Sequence, residues 1–149
     1  MKKILFLFLA AGLLYACKKD NIGSKPLLSF KSYSEDSITP TTTTFLLTLA
    51  VVDGDGDIED SIGVAMFKDS EQAIGTDTIW TYYKMPGIGQ NRGNKVKADV
   101  ILTFGEIDFA TAYNPAPGDS AHYIAFLRDN AHNISDTIVT PKFPFRRNR

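Results

Sequence analysis

The residues best suited to chemistry in this chain form an acidic stretch at positions 53–57, which reads Asp-Gly-Asp-Gly-Asp. Glu59 and Asp60 extend it. Carboxylates crowded in this way repel one another unless a cation lies among them, and Ca²⁺ prefers ligand sets made of oxygen atoms. The stretch therefore predicts a Ca²⁺ site. Its predicted ligands here are Asp53, Asp55 and Asp57.

The spacing of these aspartates begins like an EF-hand loop and then departs from it. An EF-hand loop has Gly at its sixth position and a bidentate Glu at its twelfth, whereas this chain has Ile58 and Val64 there. Ile62 and Val64 alternate with small residues as in a strand, so no exit helix follows. The alternative to a metal site is a solvated turn, in which Asp side chains accept hydrogen bonds from backbone N–H groups.

The acidic stretch directly follows an apolar run from Thr43 to Val52. Both sets of alternate positions in this run are mostly apolar, which predicts a central strand buried on both faces. Other short alternating runs, separated by turn residues, predict further strands. The first of these strands begins near Leu27, and the others span residues 62–68, 78–85, 96–104, 121–128 and 134–140. A helical turn is predicted within residues 105–114. About seven short strands predict an all-β fold, a single β-sandwich.

Two segments near the end of the chain resemble sequences of immunoglobulin-like domains. Residues 119–125 resemble the tyrosine-corner motif Asp-x-Ala-x-Tyr-x-Cys, with Tyr123 as the tyrosine and Ala125 in place of the cysteine. Residues 129–135 resemble the Asp-x-Ala-Gly-Asn-x-Ser turn before the last strand of many bacterial Ig-like domains. His132 stands where Gly is usual, so this resemblance implies a left-handed backbone at a histidine. The alternative for Tyr123 is ordinary packing in the core.

An Ig-type sandwich brings together the two loops that carry polar side chains. In such a sandwich the loop after the second strand and the loop before the last strand lie at the same pole. The resemblance therefore implies that the acidic stretch lies beside Asp129, Asn130 and Asn133. Asp129 joins Asp53, Asp55 and Asp57 as a predicted Ca²⁺ ligand.

The first 16 residues have the architecture of a secretory signal peptide. Lys2 and Lys3 precede an apolar segment, Ile4 to Leu14, that is shorter than the ~20 residues needed to span a bilayer. The sequence Leu-Tyr-Ala-Cys at 14–17 resembles the lipobox of bacterial lipoproteins, in which cleavage leaves an acylated cysteine as the first residue. Cys17 is the only cysteine, so no intramolecular disulfide can form. The alternatives are a secretory peptide without lipidation or a cysteine in the core of the fold.

Lys18, Lys19 and Asp20 follow this cysteine. They resemble the signal that sends lipoproteins of Bacteroidetes-type bacteria to the outer leaflet of the outer membrane. With the acidic stretch and the final turn, the chain resembles a group of small outer-membrane lipoproteins of that type. The resemblance implies a lipid anchor on Cys17 and display at the cell surface, with attachment facing the periplasm as the alternative. The predicted parts are a signal peptide (1–16), a lipidated tether (17–26), an Ig-like β-sandwich (27–143) and a basic tail (144–149).

The charge balance excludes one class of partner. Cleavage removes Lys2 and Lys3 and leaves 14 basic against 17 acidic side chains, so no basic field is present to attract nucleic acid. No arrangement of residues specifies a catalytic site, and the predicted function is a non-enzymatic adhesion or accessory binding module. Its predicted partners are other surface proteins or glycans.

A second interpretation of the function is glycan binding for a polysaccharide-uptake system. Trp80 and Tyr82 alternate onto one face of a predicted strand. If that face is open to solvent, the two rings can stack on sugar rings. The alternative is that the aromatic residues of this strand, Trp80, Tyr82 and Tyr83, are core on one face and ordinary strand residues on the other.

Overall fold

The computed structural model describes residues 23–71, 78–87, 93–109 and 118–146. The predicted signal peptide, the lipidation site at Cys17 and residues 147–149 of the basic tail lie outside these ranges. Within them, no helix has both the length and the apolar character needed to cross a membrane.

The described residues form two antiparallel sheets that pack face to face. The first sheet has the strand order β1-β2-β5, and the second has the order β4-β3-β6-β7, with β8 also paired to β6. A 3₁₀ turn at Asp69–Glu71 follows β3, and a one-turn helix, α1, at Glu106–Phe109 follows β5. The strands are β1 Leu27–Tyr33, β2 Thr44–Asp53, β3 Ser61–Lys68, β4 Thr81–Lys84, β5 Val96–Gly105, β6 Ser120–Arg128, β7 Ile138–Val139 and β8 Phe143–Pro144.

This arrangement confirms the single Ig-like β-sandwich. The core lies between the sheets, where alternate residues of β2, β3 and β6 meet. In β2 the five inward side chains, including Asp53, are almost completely buried, whereas the outward ones are half-buried or, at Thr44, exposed. The prediction that β2 is central is correct, and the prediction that both of its faces are buried is wrong for the outer face. In a two-layer sandwich each sheet has only one face against the core.

The last predicted strand is interrupted by two hydroxyl side chains. The backbone N–H of Leu127 donates to Ser135 Oγ at 2.9 Å, and the N–H of Tyr123 donates to Thr140 Oγ1 at 2.8 Å. These side chains take acceptor positions that backbone carbonyls hold in a regular ladder, so the predicted strand 134–140 shortens to β7 and an isolated bridge at Ile134. The predicted strand at 78–85 likewise contracts to β4.

Two tyrosines link the layers. Tyr123 is buried and stacks on Phe104 with ring centroids 4.6 Å apart, so it packs in the core. The chain upstream at 110–117, which a tyrosine corner would use, lies outside the described residues. The Tyr33 hydroxyl donates to the Pro141 carbonyl at 2.8 Å, which ties the edge strand β1 to the segment before β8. Burial raises the pKa of Tyr33 to about 12.

Candidate metal centre

The acidic stretch turns the chain from β2 into β3. Asp53 is the last residue of β2 and pairs with Val96 of β5. One of its carboxylate oxygens, Oδ2, accepts a hydrogen bond from the backbone N–H of Asp57 at 3.1 Å. Between them Gly56 has φ 68°, a left-handed conformation that glycine adopts without the steric cost of a Cβ. The turn chemistry of Asp and Gly is therefore used here, while the side chain of Asp53 is 0% exposed and those of Asp55 and Asp57 are partly exposed.

The loop between β6 and β7 lies against this turn, as an Ig-type arrangement predicts. The backbone N–H of Asn130 donates to the Asp57 carbonyl at 2.9 Å, and the N–H of Ala131 donates to Asp57 Oδ2 at 3.1 Å. His132 is, within the described part of the chain, the non-glycine residue with a positive φ, 67°, in agreement with the position that Gly usually holds. The second loop therefore docks through Asp57.

Asp53, Asp55 and Asp57 form a compact group, which we call the triad. Each residue contributes one carboxylate oxygen, and these oxygens all lie within 4.8 Å of one another. The Oδ1 atom of each of the three aspartates is buried and has no hydrogen-bond partner. Burial of a charge without a partner is strongly unfavourable, which is why buried carboxylates are paired with cations or coordinate metals. The triad could therefore hold a metal ion.

The electrostatics of the triad point the same way. Burial raises the pKa of Asp53, and the proximity of Asp55 raises it further, against the opposing effect of N–H donors from Asp57 and Gly56. Burial also raises the pKa of Asp57, followed by the negative charges of Asp129, Asp55 and Asp53. Both carboxyls thus resist ionisation because like charges meet in a poorly hydrated place. A divalent cation at the triad would reverse this effect.

Asp129 lies beside the triad but is held differently. Its side chain is fully buried, and its two oxygens accept hydrogen bonds from the backbone N–H and the side-chain amide of Asn133, at 2.7 and 2.9 Å. The three aspartates of the triad group without it. The structure therefore shows Asp129 as a neighbouring negative charge and an anchor for its own loop, and its role as a metal ligand stays a prediction. Sequence reasoning missed the hydrogen bonds between Asp129 and Asn133, although an Asp followed four residues later by Asn is compatible with a turn closed in this way.

The donor set indicates which ion the triad could hold. Carboxylate oxygens suit the hard cations Ca²⁺ and Mg²⁺, and Ca²⁺ tolerates the more irregular geometry with six to eight ligands. The triad supplies three side-chain oxygens, so carbonyl groups or water would complete the shell. Zinc is disfavoured because its sites use His and Cys, and His132 points outward with a 78% exposed side chain.

A second acidic group, which we call the paired cluster, lies at the other end of β3 and β6. Both oxygens of Asp119 accept hydrogen bonds, from the backbone N–H groups of Ser70 and Ser120 and from the Ser70 hydroxyl. Asp69 Oδ2 accepts hydrogen bonds from the Ser120 hydroxyl and from Lys142 Nζ at 2.8 Å. Hydrogen bonding from Lys142, and then from Ser120, lowers the pKa of Asp69.

Trp80 and Tyr82 lie on the outer face of the second sheet, around Phe126. Tyr82 is 60% exposed, and Trp80 is half-buried with its ring edge-to-face on Phe126 at 4.9 Å. Tyr82 makes a similar contact at 6.1 Å. Gly63 provides the space for Phe126, because a Cβ at Gly63 would lie 2.7 Å from the phenylalanine ring. We call this group the aromatic patch, and sequence reasoning missed Phe126 as its centre.

No protein-family model matches the chain, and no curated protein matches it either. The solved structures that match the chain include two with low sequence identity. A Niemann-Pick type C2 protein from Japanese carpenter ant is 14% identical, with a TM-score of 0.39 over 85% of this chain and 96% of that one. A protein from Archaeoglobus fulgidus is 7% identical, with a TM-score of 0.35 over 79% and 98%. These TM-scores are below 0.5, and neither similarity indicates a function.

Proposed function

We propose that this protein is a non-enzymatic lipoprotein, anchored to the outer membrane through lipid on Cys17, whose Ig-like sandwich is stabilised by Ca²⁺. It serves at the cell surface as an adhesion or accessory binding module. The proposed localisation is based on the lipobox-like sequence and the charged residues after Cys17, and the proposed Ca²⁺ binding is based on the triad.

One observation carries the metal part of this proposal. The Oδ1 atoms of Asp53, Asp55 and Asp57 are buried, close together and without partners. Salt bridges neutralise acids elsewhere in the described chain, for example at Lys31–Asp99 and Lys142–Asp69. A bound divalent ion would supply the missing charge and would join the β2–β3 loop to the loop after β6.

Calorimetric titration tests the metal. The protein is the mature chain, residues 17–149 with Cys17→Ser, which contains every described element. We expect heat of Ca²⁺ binding and a higher Tm, both lost in the variant Asp55→Asn/Asp57→Asn. A charge-matched control is Asp36→Asn/Asp99→Asn, since both side chains are exposed and outside the triad. Neither heat nor a Tm shift in the unmodified domain would refute the Ca²⁺ site.

Membrane fractionation tests the anchor independently of the metal. We expect the full chain to sediment with the outer membrane and to incorporate labelled palmitate, and the Cys17→Ser variant to lose both properties. A chain that stays in the membrane fraction without Cys17 would contradict the lipid anchor.

The aromatic patch supports a second candidate function, an accessory glycan-binding module of a polysaccharide-uptake system. An exposed Tyr82 beside Trp80 on a sheet face gives sugar rings an apolar surface on which to stack. The face is open on the side of Tyr82, whereas Trp80 is partly covered by Phe126.

Affinity electrophoresis in gels that contain polysaccharide tests this candidate. We expect retention by the unmodified domain, loss of retention in Trp80→Ala, and retention in Tyr82→Phe because the stacking ring remains. Ile101→Ala serves as a control, since Ile101 is 60% exposed on the other sheet. Equal migration of Trp80→Ala and the unmodified domain, with both folded, would rule out the patch as the binding site.

A further inference from the structure

The N-terminal tether enters the sandwich at the pole that carries the triad. Leu27, the first residue of β1, pairs with Val52, so the preceding residue lies level with Asp53. Pro26 is almost fully buried, which fixes the chain as it enters. Upstream of it, the Ser24 carbonyl accepts a hydrogen bond from the side-chain amide of Asn133 at 3.2 Å. We call residues 23–26 the tether root.

A short series of direct contacts joins the triad to this root. Asp57 accepts hydrogen bonds from the backbone N–H groups of Asn130 and Ala131. At the start of the same loop, Asp129 accepts a hydrogen bond from the side-chain amide of Asn133, and this amide also donates to the Ser24 carbonyl. The remaining polar contact of the root, Lys25 with Asp136, is an exposed ion pair with side chains 50% and 85% accessible, and pairs of this kind contribute little.

We propose that a divalent cation bound by the triad fastens the tether root through the loop of Asn133, so that the triad pole is held facing the membrane. This inference rests on the proposed function, since it uses both the metal and the lipid on Cys17. The buried and unpartnered Asp53 oxygen indicates the cation. A cation would reduce the repulsion between Asp57 and Asp129 and would so stabilise the contact that the loop of Asn133 makes with Ser24.

The length of the tether makes this orientation relevant to the membrane. From Cys17 to Gly23 the chain advances six residues, which span at most about 21 Å when fully extended. The triad pole therefore cannot move far from the lipid. With the root fastened, the paired cluster lies at the distal end and the aromatic patch faces sideways, where a partner can reach it.

Fluorescence anisotropy tests the inference on residues 17–149. A dye on the thiol of Cys17, the sole cysteine, occupies the place of the lipid. We expect Ca²⁺ to raise the anisotropy of the dye, because the root of its tether becomes fixed. Asp55→Asn/Asp57→Asn should lose the rise, and Asp36→Asn/Asp99→Asn should keep it.

The variant Asn133→Ala separates this inference from the metal site itself. It removes the hydrogen bonds of the Asn133 side-chain amide to Ser24 and to Asp129 Oδ2, and it leaves the three aspartates of the triad in place. We therefore expect calorimetric Ca²⁺ binding to persist while the rise in anisotropy is lost. If the unmodified chain binds Ca²⁺ without a rise in anisotropy, or if Asn133→Ala keeps the full rise, the fastening of the tether is overturned and the metal site stands. If calorimetry shows no Ca²⁺ binding, the proposed function fails and this inference fails with it.

Discussion

Two acidic groups lie at opposite ends of the sandwich and differ in how their negative charge is balanced. In the paired cluster, the oxygens of Asp119 accept three hydrogen bonds, and Asp69 has Lys142 as a counter-charge, although its Oδ1 atom is buried without a hydrogen-bond partner. In the triad, three buried oxygens have no partner. The pKa of Asp69 is accordingly lowered, while burial and like charges raise those of Asp53 and Asp57.

The comparison shows that the number of acids in a cluster says little about metal binding. Acids whose hydrogen bonds and charges are satisfied by the protein stabilise the fold by themselves. Acids that are buried and left unpaired stabilise it only when something else supplies positive charge. The two clusters should therefore respond differently to mutation, to Ca²⁺ and to pH.

The largest expected effect is on the paired cluster. We expect Asp119→Ala to lower the free energy of unfolding by about 3 kcal/mol, because hydrogen bonds to a buried charged acceptor contribute about 1.5–3 kcal/mol and their donors are left unpaired. Urea denaturation measures the change, with Asp36→Ala as an exposed control. A loss as small as that of the control would show that the cluster does not stabilise the fold.

Ca²⁺ should act on the triad alone. At a free concentration of 100 times its Kd, a ligand that binds only the folded state stabilises it by about 2.7 kcal/mol. We expect this gain in unmodified protein and in Asp69→Asn, and no gain in Asp55→Asn/Asp57→Asn, with chelator-treated samples as the reference. If Asp69→Asn abolished the gain, the ion would belong to the other end of the sheet.

The contributions of the two clusters to the stability of the fold should depend on pH in opposite directions. Because the folded-state pKa values of Asp53 and Asp57 are raised, the metal-free fold binds more protons than the unfolded chain above pH ~3.9. The stability that these two carboxyls contribute is therefore present below that pH and is lost as the pH rises through their raised pKa values. The lowered pKa of Asp69 gives stability that is present above the ordinary pKa and is lost as the pH falls.

Thermal melts at several pH values, with and without Ca²⁺, measure this difference. We expect the stabilisation by Ca²⁺ to grow from mildly acidic to neutral pH, since protons and the metal compete for the same oxygens. If the increase in Tm caused by Ca²⁺ is independent of pH over this range, the carboxyls with raised pKa values are not the ligands of the ion.

The smallest expected effect is that neutralising one aspartate in each cluster changes the free energy of unfolding in opposite directions. In metal-free protein, Asp55→Asn should raise the free energy of unfolding by about 1 kcal/mol, the repulsion between unit charges ~4 Å apart in water, whereas Asp69→Asn should lower it. Chemical denaturation in the presence of chelator measures both variants. Destabilisation by Asp55→Asn would mean that Asp55 takes part in hydrogen bonds that the turn requires.

Local patterns in the sequence were sufficient to predict the sandwich. Strand alternation depends only on which side chains must leave water, so the positions of β1, β2, β3, β5 and β6 follow from the sequence. The left-handed residue at His132 also follows, because a tight turn imposes its backbone geometry locally. The strand β7 is shorter than predicted, since side-chain hydroxyls of Ser135 and Thr140 compete with the backbone for ladder hydrogen bonds. The edge strand β4 is also shorter than predicted.

The sequence by itself determined that Asp53, Asp55 and Asp57 are crowded, since they are separated only by single glycines. Only the tertiary structure decided which of their oxygens have partners, that Asp129 is held by Asn133, and that the tether root arrives at the same pole. The physical reason is that charge spacing is a property of the local chain, whereas burial and hydrogen-bond satisfaction depend on residues that fold against it from far along the sequence.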